Sequence, residues 1–207
     1  ARLAAMWQCL GAVHGMLNTD NLSIDGVTLD HGSFSFCDHF DPSFAGRGKE
    51  PGGRYSFQKQ PDAARWACER LAEALLPLHC TQLADIVKEV KFLFMEEFEV
   101  AFDEGMRRKL GLDDLNEDLL GGLLNLLERT GADWTCTFRA LTVARSPAEA
   151  AAEISRWRTV GLEAEWEAWL RSYSDSLRQE GKSWDSAERL QAMAAANPVV
   201  VPRDWLL

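Results

Sequence analysis

Basic charge is scarce in this 207-residue chain: 22 Lys and Arg stand against 32 Asp and Glu, giving a net charge of −10. With no basic stripe, the electrostatic footprint of a nucleic-acid partner is missing. No apolar run approaches the length that spans a bilayer, so membrane insertion is not expected. The five cysteines (Cys9, Cys37, Cys68, Cys80 and Cys136) are odd in number and scattered, with no C-x-x-C pair. That disfavours both a zinc site and a disulfide framework, and free thiols in a reducing compartment are the simplest account. There is no internal repeat, and no low-complexity tract beyond alanine enrichment at 148–152 and 194–196. An initiator Met and a signal peptide are also missing: Ala1 already sits in an amphipathic pattern, which reads as a fragment of a longer protein.

What is present begins with NLSIDGVTLD, Asn21 to Asp30. Asp-Gly between two alternating runs signals a hairpin with a type I′ turn, which needs positive φ at both central residues. With Asp25 and Gly26 as the loop, Ile24 faces Val27, Ser23 faces Thr28, Leu22 faces Leu29 and Asn21 faces Asp30. One face is then Leu22, Ile24, Val27 and Leu29, expected to be core. The other ends in an amide opposite a carboxylate, with Cα atoms roughly 4.5 Å apart. Two hard oxygen ligands at that spacing suit a small divalent cation such as Mg²⁺. A solvated face with an Asn–Asp hydrogen bond is the plainer alternative.

Periodicity predicts a helix over 1–13 with Leu3, Met6, Trp7 and Leu10 on one face. Residues 31–60 read as irregular, with Pro42, Pro51 and several glycines, and long loops of this kind are usually functional or mobile. From Pro61 the pattern is helical. Ala63, Trp66, Ala67, Leu71, Ala74 and Leu75 form one stripe. Further helices are expected from about Thr81 to Leu110, carrying Phe92, Met95, Phe98, Val100 and Phe102, and from Leu112 to Leu127. Ser146-Pro147-Ala148-Glu149 reads as a capping box. Trp166, Trp169, Leu170, Tyr173 and Leu177 fall at helical spacing and are expected as core rather than a ligand cage, and Asn197-Pro198 closes the last helix. The acidic clusters Glu96-Glu97-Glu99 and Asp113-Asp114 read as solvated helix faces. The expected fold is mainly α with a small β-hairpin, divided into a loop-and-hairpin segment at 1–60 and a helical part at 61–207.

The stretch HGMLNTDN, His14 to Asn21, resembles the catalytic loop of kinase-like phosphotransferases, H-G-D-x-x-x-x-N followed by a hairpin and a metal-binding Asp. His14, Gly15, Asn21 and Asp30 match in order, but the usual catalytic Asp is replaced by Met16, which cannot accept a proton. A closer match covers residues 11–75. His14-Gly15, Asn18 to Asn21, Ser23-Ile24, Gly26, Thr28, Asp30, Gly32, Phe34 and Phe36 are similar to the selenoprotein O family, also called the YdiU family. So are Asp38, Phe40 to Pro42, Phe44, Gly53 to Tyr55 and Gln60-Pro61. The helical remainder fits more loosely, at Met106–Leu112, Thr130–Thr135 and Asn197–Trp205. His31 and Ser33 stand where family members commonly have other residues.

The resemblance implies a protein-kinase-like C-terminal lobe with a helical extension. It implies transfer of AMP from Mg-ATP to Ser, Thr or Tyr hydroxyls of proteins. Asn21 and Asp30 would hold Mg²⁺ against the ATP phosphates, and Asp20 would be the general base. His14 is expected to organise the loop, and Arg54 to face a phosphate or pair with Asp41. A kinase-like N-terminal lobe cannot be placed in this chain, so the isolated fragment is expected to bind Mg-ATP poorly and to be inactive. The selenocysteine of many animal members has no counterpart near Trp205-Leu206-Leu207. By resemblance the compartment would be mitochondrial in a eukaryote and cytoplasmic in a bacterium. The competing expectations are a phosphoryl-transferring kinase, which Met16 opposes, and an inactive pseudokinase-like binding module.

Overall fold

The computed structural model describes residues 1–30, 34–46, 49–75 and 83–204. Over the described residues it is mainly helical, with one small two-stranded antiparallel sheet. The chain divides into two compact units: Ala1–Phe36 with Pro42–Phe102, and Cys37–Asp41 with Asp103–Leu207.

The first unit opens with α1 (Arg2–Leu10). The helix is shorter than the 1–13 expected because Gly11 takes a left-handed conformation (φ +68°) and its N–H caps the last carbonyls. That stop frees Ala12–Val13 to form β1, which pairs antiparallel with β2 (Ser35–Phe36). The expected face is corrected as well. Met6 is 51% exposed, while Ala4, Ala5 and Trp7 are buried.

The second helix, α2 (Gln60–Leu75), begins where expected, and Ala63, Ala64 and Ala67 are its buried stripe. The small side chains of Ala63 and Ala64 join Ala4, Trp7, Ala12, Leu17 and Phe94 in one core. Leu71, Ala74 and Leu75, expected in the stripe, are exposed. The third helix, α3 (Leu83–Leu110), stops at Gly111 (φ +68°) as expected. Thr81, its expected start, lies outside the described residues, as does Cys80. Phe94 is its core anchor, whereas Phe92 and Val100 are largely exposed, so the aromatic run does not form a single stripe.

The second unit holds α4 (Glu117–Thr130), α5 (Trp134–Val143), α6 (Pro147–Ile154), α7 (Glu163–Gln179) and α8 (Ala187–Ala196). α4 starts later than the Leu112 expected, because the Asn116 side chain accepts the N–H groups of Asp118 and Leu119 and sets the N-cap there. Asp133 caps α5 by accepting from Cys136 N–H at 2.7 Å. The capping box at Ser146 forms on the Ser side, with Oγ accepting from Glu149 N–H at 3.2 Å; the Glu149 carboxylate accepts from Arg145 N–H instead of that of Ser146. All five residues of the Trp166–Leu177 stripe are buried. Trp169 Nε1 donates to Leu119 O at 2.8 Å, which satisfies the one polar atom that this indole brings into the core.

Two cations were not anticipated as structural. Arg189 is wholly buried and donates to Tyr173 Oη, Trp184 O and Leu141 O at 2.6–3.1 Å. Arg203 pairs with both carboxylate oxygens of Asp133 and with Asp38. The hydrogen bond with Asp133 holds its guanidinium well above the usual range. The acidic clusters at 96–99 and 113–114 are solvent-exposed; the first lies on α3 as expected, whereas Asp113-Asp114 lies between α3 and α4 and not on a helix face.

Candidate active site

Antiparallel pairing of Ala12 with Phe36 and Val13 with Ser35 brings together the two ends of the excursion 14–34, which carries the candidate residues. The polar side chain of Gln60 clamps its entry. Gln60 is 0% exposed; its Oε1 accepts His14 N–H and its Nε2 donates to Ala12 O, each at 2.8 Å. Tyr55 Oη donates to Asn18 Oδ1, and Gln8 Nε2 donates to Phe57 O at 2.6 Å. Gln60, Tyr55 and Asn18, three residues of the matching motif, thus hold the loop in place.

The hairpin differs from the expected one by a single residue. The observed bridge is Leu22 with Thr28, Ser23 N–H donates to Val27 O at 2.8 Å, and Leu29 N–H donates to Asn21 O at 2.8 Å. Ile24, Asp25 and Gly26 therefore form a three-residue loop, closed by Gly26 N–H to Ser23 O at 3.0 Å. Only Gly26 has positive φ (+78°), so this is not a type I′ turn. The cause is local: Ser23 Oγ accepts Asp25 N–H at 3.2 Å, a side-chain turn that keeps Asp25 in an ordinary conformation while glycine supplies the left-handed residue. A one-residue slip reassigns every partner. Asn21 falls opposite Leu29, not Asp30. The expected apolar core face does not form, since Ile24, Val27 and Leu29 are 79, 54 and 67% exposed and only Leu22 packs on the core.

A threonine hydroxyl instead sits between the backbone carbonyls of Asn21 and Asp30. Thr28 Oγ1 lies 3.1 Å from Asn21 O and 3.2 Å from Asp30 O. On its other side it meets His14 Nε2 at 2.6 Å. His14 Nδ1 accepts Met16 N–H at 3.2 Å, so the ring proton belongs on Nε2 and is donated to Thr28. His14 thus organises the loop, as expected. Asn21 Nδ2 donates to Met16 O at 3.0 Å, which leaves Oδ1 as the amide's acceptor.

Asp20, in the 3₁₀ turn Thr19–Asn21, is exposed, as is Asp30. Arg54 lies over the Trp66 ring, 4.0 Å from its centroid. Among the described residues, no three His, Cys, Asp or Glu side chains gather as a metal site. Asn21 with one carboxylate supplies two oxygen donors, enough for a cation that keeps water and phosphate as its other ligands. His31 and Ser33 lie outside the described residues. Among the described residues, no helix is long and apolar enough to cross a membrane.

Comparison with known proteins decides the family: the model described as "Protein adenylyltransferase SelO" matches residues 1–207. The chain belongs to the SelO family. A protein nucleotidyltransferase YdiU of Lachnoclostridium phytofermentans is 36% identical over 210 residues, covering 99% of this chain and 41% of the relative. Another of that name, from Salmonella paratyphi B, is 38% identical over 209 residues, covering 99% of this chain and 42% of the relative. This SelO-family chain therefore spans about two fifths of the length of the curated relatives that it matches.

Proposed function

We propose that this chain is the cation-holding part of a protein nucleotidyltransferase with a kinase-like C-terminal lobe, one that transfers AMP from Mg-ATP to Ser, Thr or Tyr hydroxyls of target proteins. The observation that carries the reading is the family match over residues 1–207. Within it, the loop and hairpin bearing Asp20, Asn21 and Asp30 are held by buried polar side chains. Asn21 Oδ1 and the Asp30 carboxylate are the groups that would hold Mg²⁺, whose charge would neutralise the phosphates and the departing pyrophosphate.

The remaining steps belong to the chain. Asp20 accepts the proton of the attacking hydroxyl, a role that requires hydrogen-bond reach to that group. The hydroxyl oxygen bonds to the α-phosphorus as the bond to pyrophosphate breaks. The bond between Met16 O and Asn21 Nδ2 orients the amide before any ligand arrives, and such positioning is the main source of rate in phosphate-centred transfer. Met16 offers no base, which favours Asp20 and weighs against a kinase of the ordinary pattern.

The test uses the full-length protein with Mg²⁺ and ATP labelled on the α- or the γ-phosphate, beside Asp30→Ala. Label entering protein from the α-phosphate alone, and lost in Asp30→Ala, is the expected result. Label from the γ-phosphate would make it a kinase, and label from neither would leave a binding module.

A further inference from the structure

We propose that Thr28 is a positioning residue for the cation-holding pair: its hydroxyl, fixed by His14, sets the backbone at Asn21 and Asp30. The proposal rests on the reading of Asn21 and Asp30 as that pair. His14 is only 2% exposed, and both its ring nitrogens are committed: Nδ1 to Met16 N–H, Nε2 to Thr28 Oγ1. Having accepted the imidazole proton, the hydroxyl can give its own hydrogen only toward the two carbonyls at 3.1 and 3.2 Å. One oxygen therefore links a buried ring to both candidate residues. Asn21 O also accepts Leu29 N–H at 2.8 Å.

The chemistry separates this role from simple packing. Valine has nearly the shape of threonine but can neither accept from His14 nor donate to a carbonyl, and it would leave a buried N–H unsatisfied. Serine keeps the hydroxyl and loses only a methyl group. Groups that orient metal-binding residues typically change metal affinity by about ten- to a hundredfold when removed.

The experiment compares full-length wild type, Thr28→Val and Thr28→Ser. It titrates Mg²⁺ against AMP transfer at saturating ATP, with melting temperatures to confirm folding. Thr28→Val should raise the half-saturating Mg²⁺ concentration by about tenfold or more, and Thr28→Ser by less than about threefold. An unchanged Mg²⁺ requirement in Thr28→Val, or a serine variant as impaired as the valine one, overturns the proposal. The second readout needs no activity. ¹⁵N-histidine spectra of wild type should show His14 as the neutral Nε2–H tautomer with a slowly exchanging ring proton, and Thr28→Val should speed that exchange. A wild-type ring protonated on Nδ1 instead overturns the link itself. Absence of any Mg²⁺-dependent transfer in wild type would instead remove the functional reading and the positioning role with it, while the ring spectra still decide whether the His14–Thr28 bond exists.

Discussion

Helix α7 and the 21–30 hairpin carry equally clear apolar periodicities, yet they fold in opposite ways. In α7 every residue of the stripe is buried, with Trp169 stacked on Tyr173 at 5.4 Å and Tyr173 edge-on to Trp184. In the hairpin three of the four apolar residues are exposed, and polar atoms do the holding: His14, Thr28, Gln60 and Ser23. The helix is kept by burial, worth about 1.5–3 kcal/mol for each large side chain. The loop is kept by individual hydrogen bonds of about 0.5–1.5 kcal/mol net. A region held by a few directed bonds can be altered chemically without being unfolded, which suits a site better than a core.

That contrast gives a graded set of expectations. The largest effect is on activity: Asp30→Ala, at an exposed position, should lower AMP transfer by about a hundredfold or more while the protein stays folded by circular dichroism. Leu170→Ala, at a position 1% exposed in α7, should cost about 2–5 kcal/mol by chemical denaturation. Gln60→Ala joins the two regimes. Loss of a buried amide that serves both His14 N–H and Ala12 O should cost about 1–3 kcal/mol and also lower transfer. A cost there below that of an exposed site would break the comparison.

Smaller still is a pH effect in the second unit. Burial, and then the nearby Asp133 carboxylate, push the Cys136 thiol up to about 11. The folded state therefore binds its proton more tightly than the unfolded chain does. Stability is fully present below the unfolded thiol pKa of about 8.5 and falls as pH climbs from there toward 11. Denaturation midpoints of wild type and Cys136→Ser across that window check it, with a flatter profile expected in the serine variant. The smallest effect is at the hairpin tip: Ile24→Ser in the 207-residue chain should change stability by less than about 0.5 kcal/mol.

Much of the helical part was legible because its signals are local. The capping position at Ser146, the stop at Gly111 and the α7 stripe each lie within a few residues of their cause. The hairpin register was not legible, since it turns on whether Asp25 adopts positive φ, and a hydrogen bond from its own N–H to the Ser23 hydroxyl decides against that. Buried polar residues were hidden for another reason. Gln60 and Arg189 look like surface residues by type, and they find their partners as far as 48 residues away. The candidate residues were legible as a motif; the Thr28 link between Asn21 and Asp30 required the folded geometry, because the pairing inferred from alternation placed Thr28 opposite Ser23 rather than Leu22.

Two carboxylates five residues apart in the hairpin offer the most direct test of the central claim, that Asn21 and Asp30 hold the cation. Mn²⁺ binding to the full-length protein with a non-hydrolysable ATP analogue can be followed by electron paramagnetic resonance in wild type, Asp30→Ala and Asp25→Ala. The account predicts that Asp30→Ala loses the bound Mn²⁺ signal while Asp25→Ala, altered only at the exposed loop, keeps it. Retention of Mn²⁺ in Asp30→Ala would contradict the account.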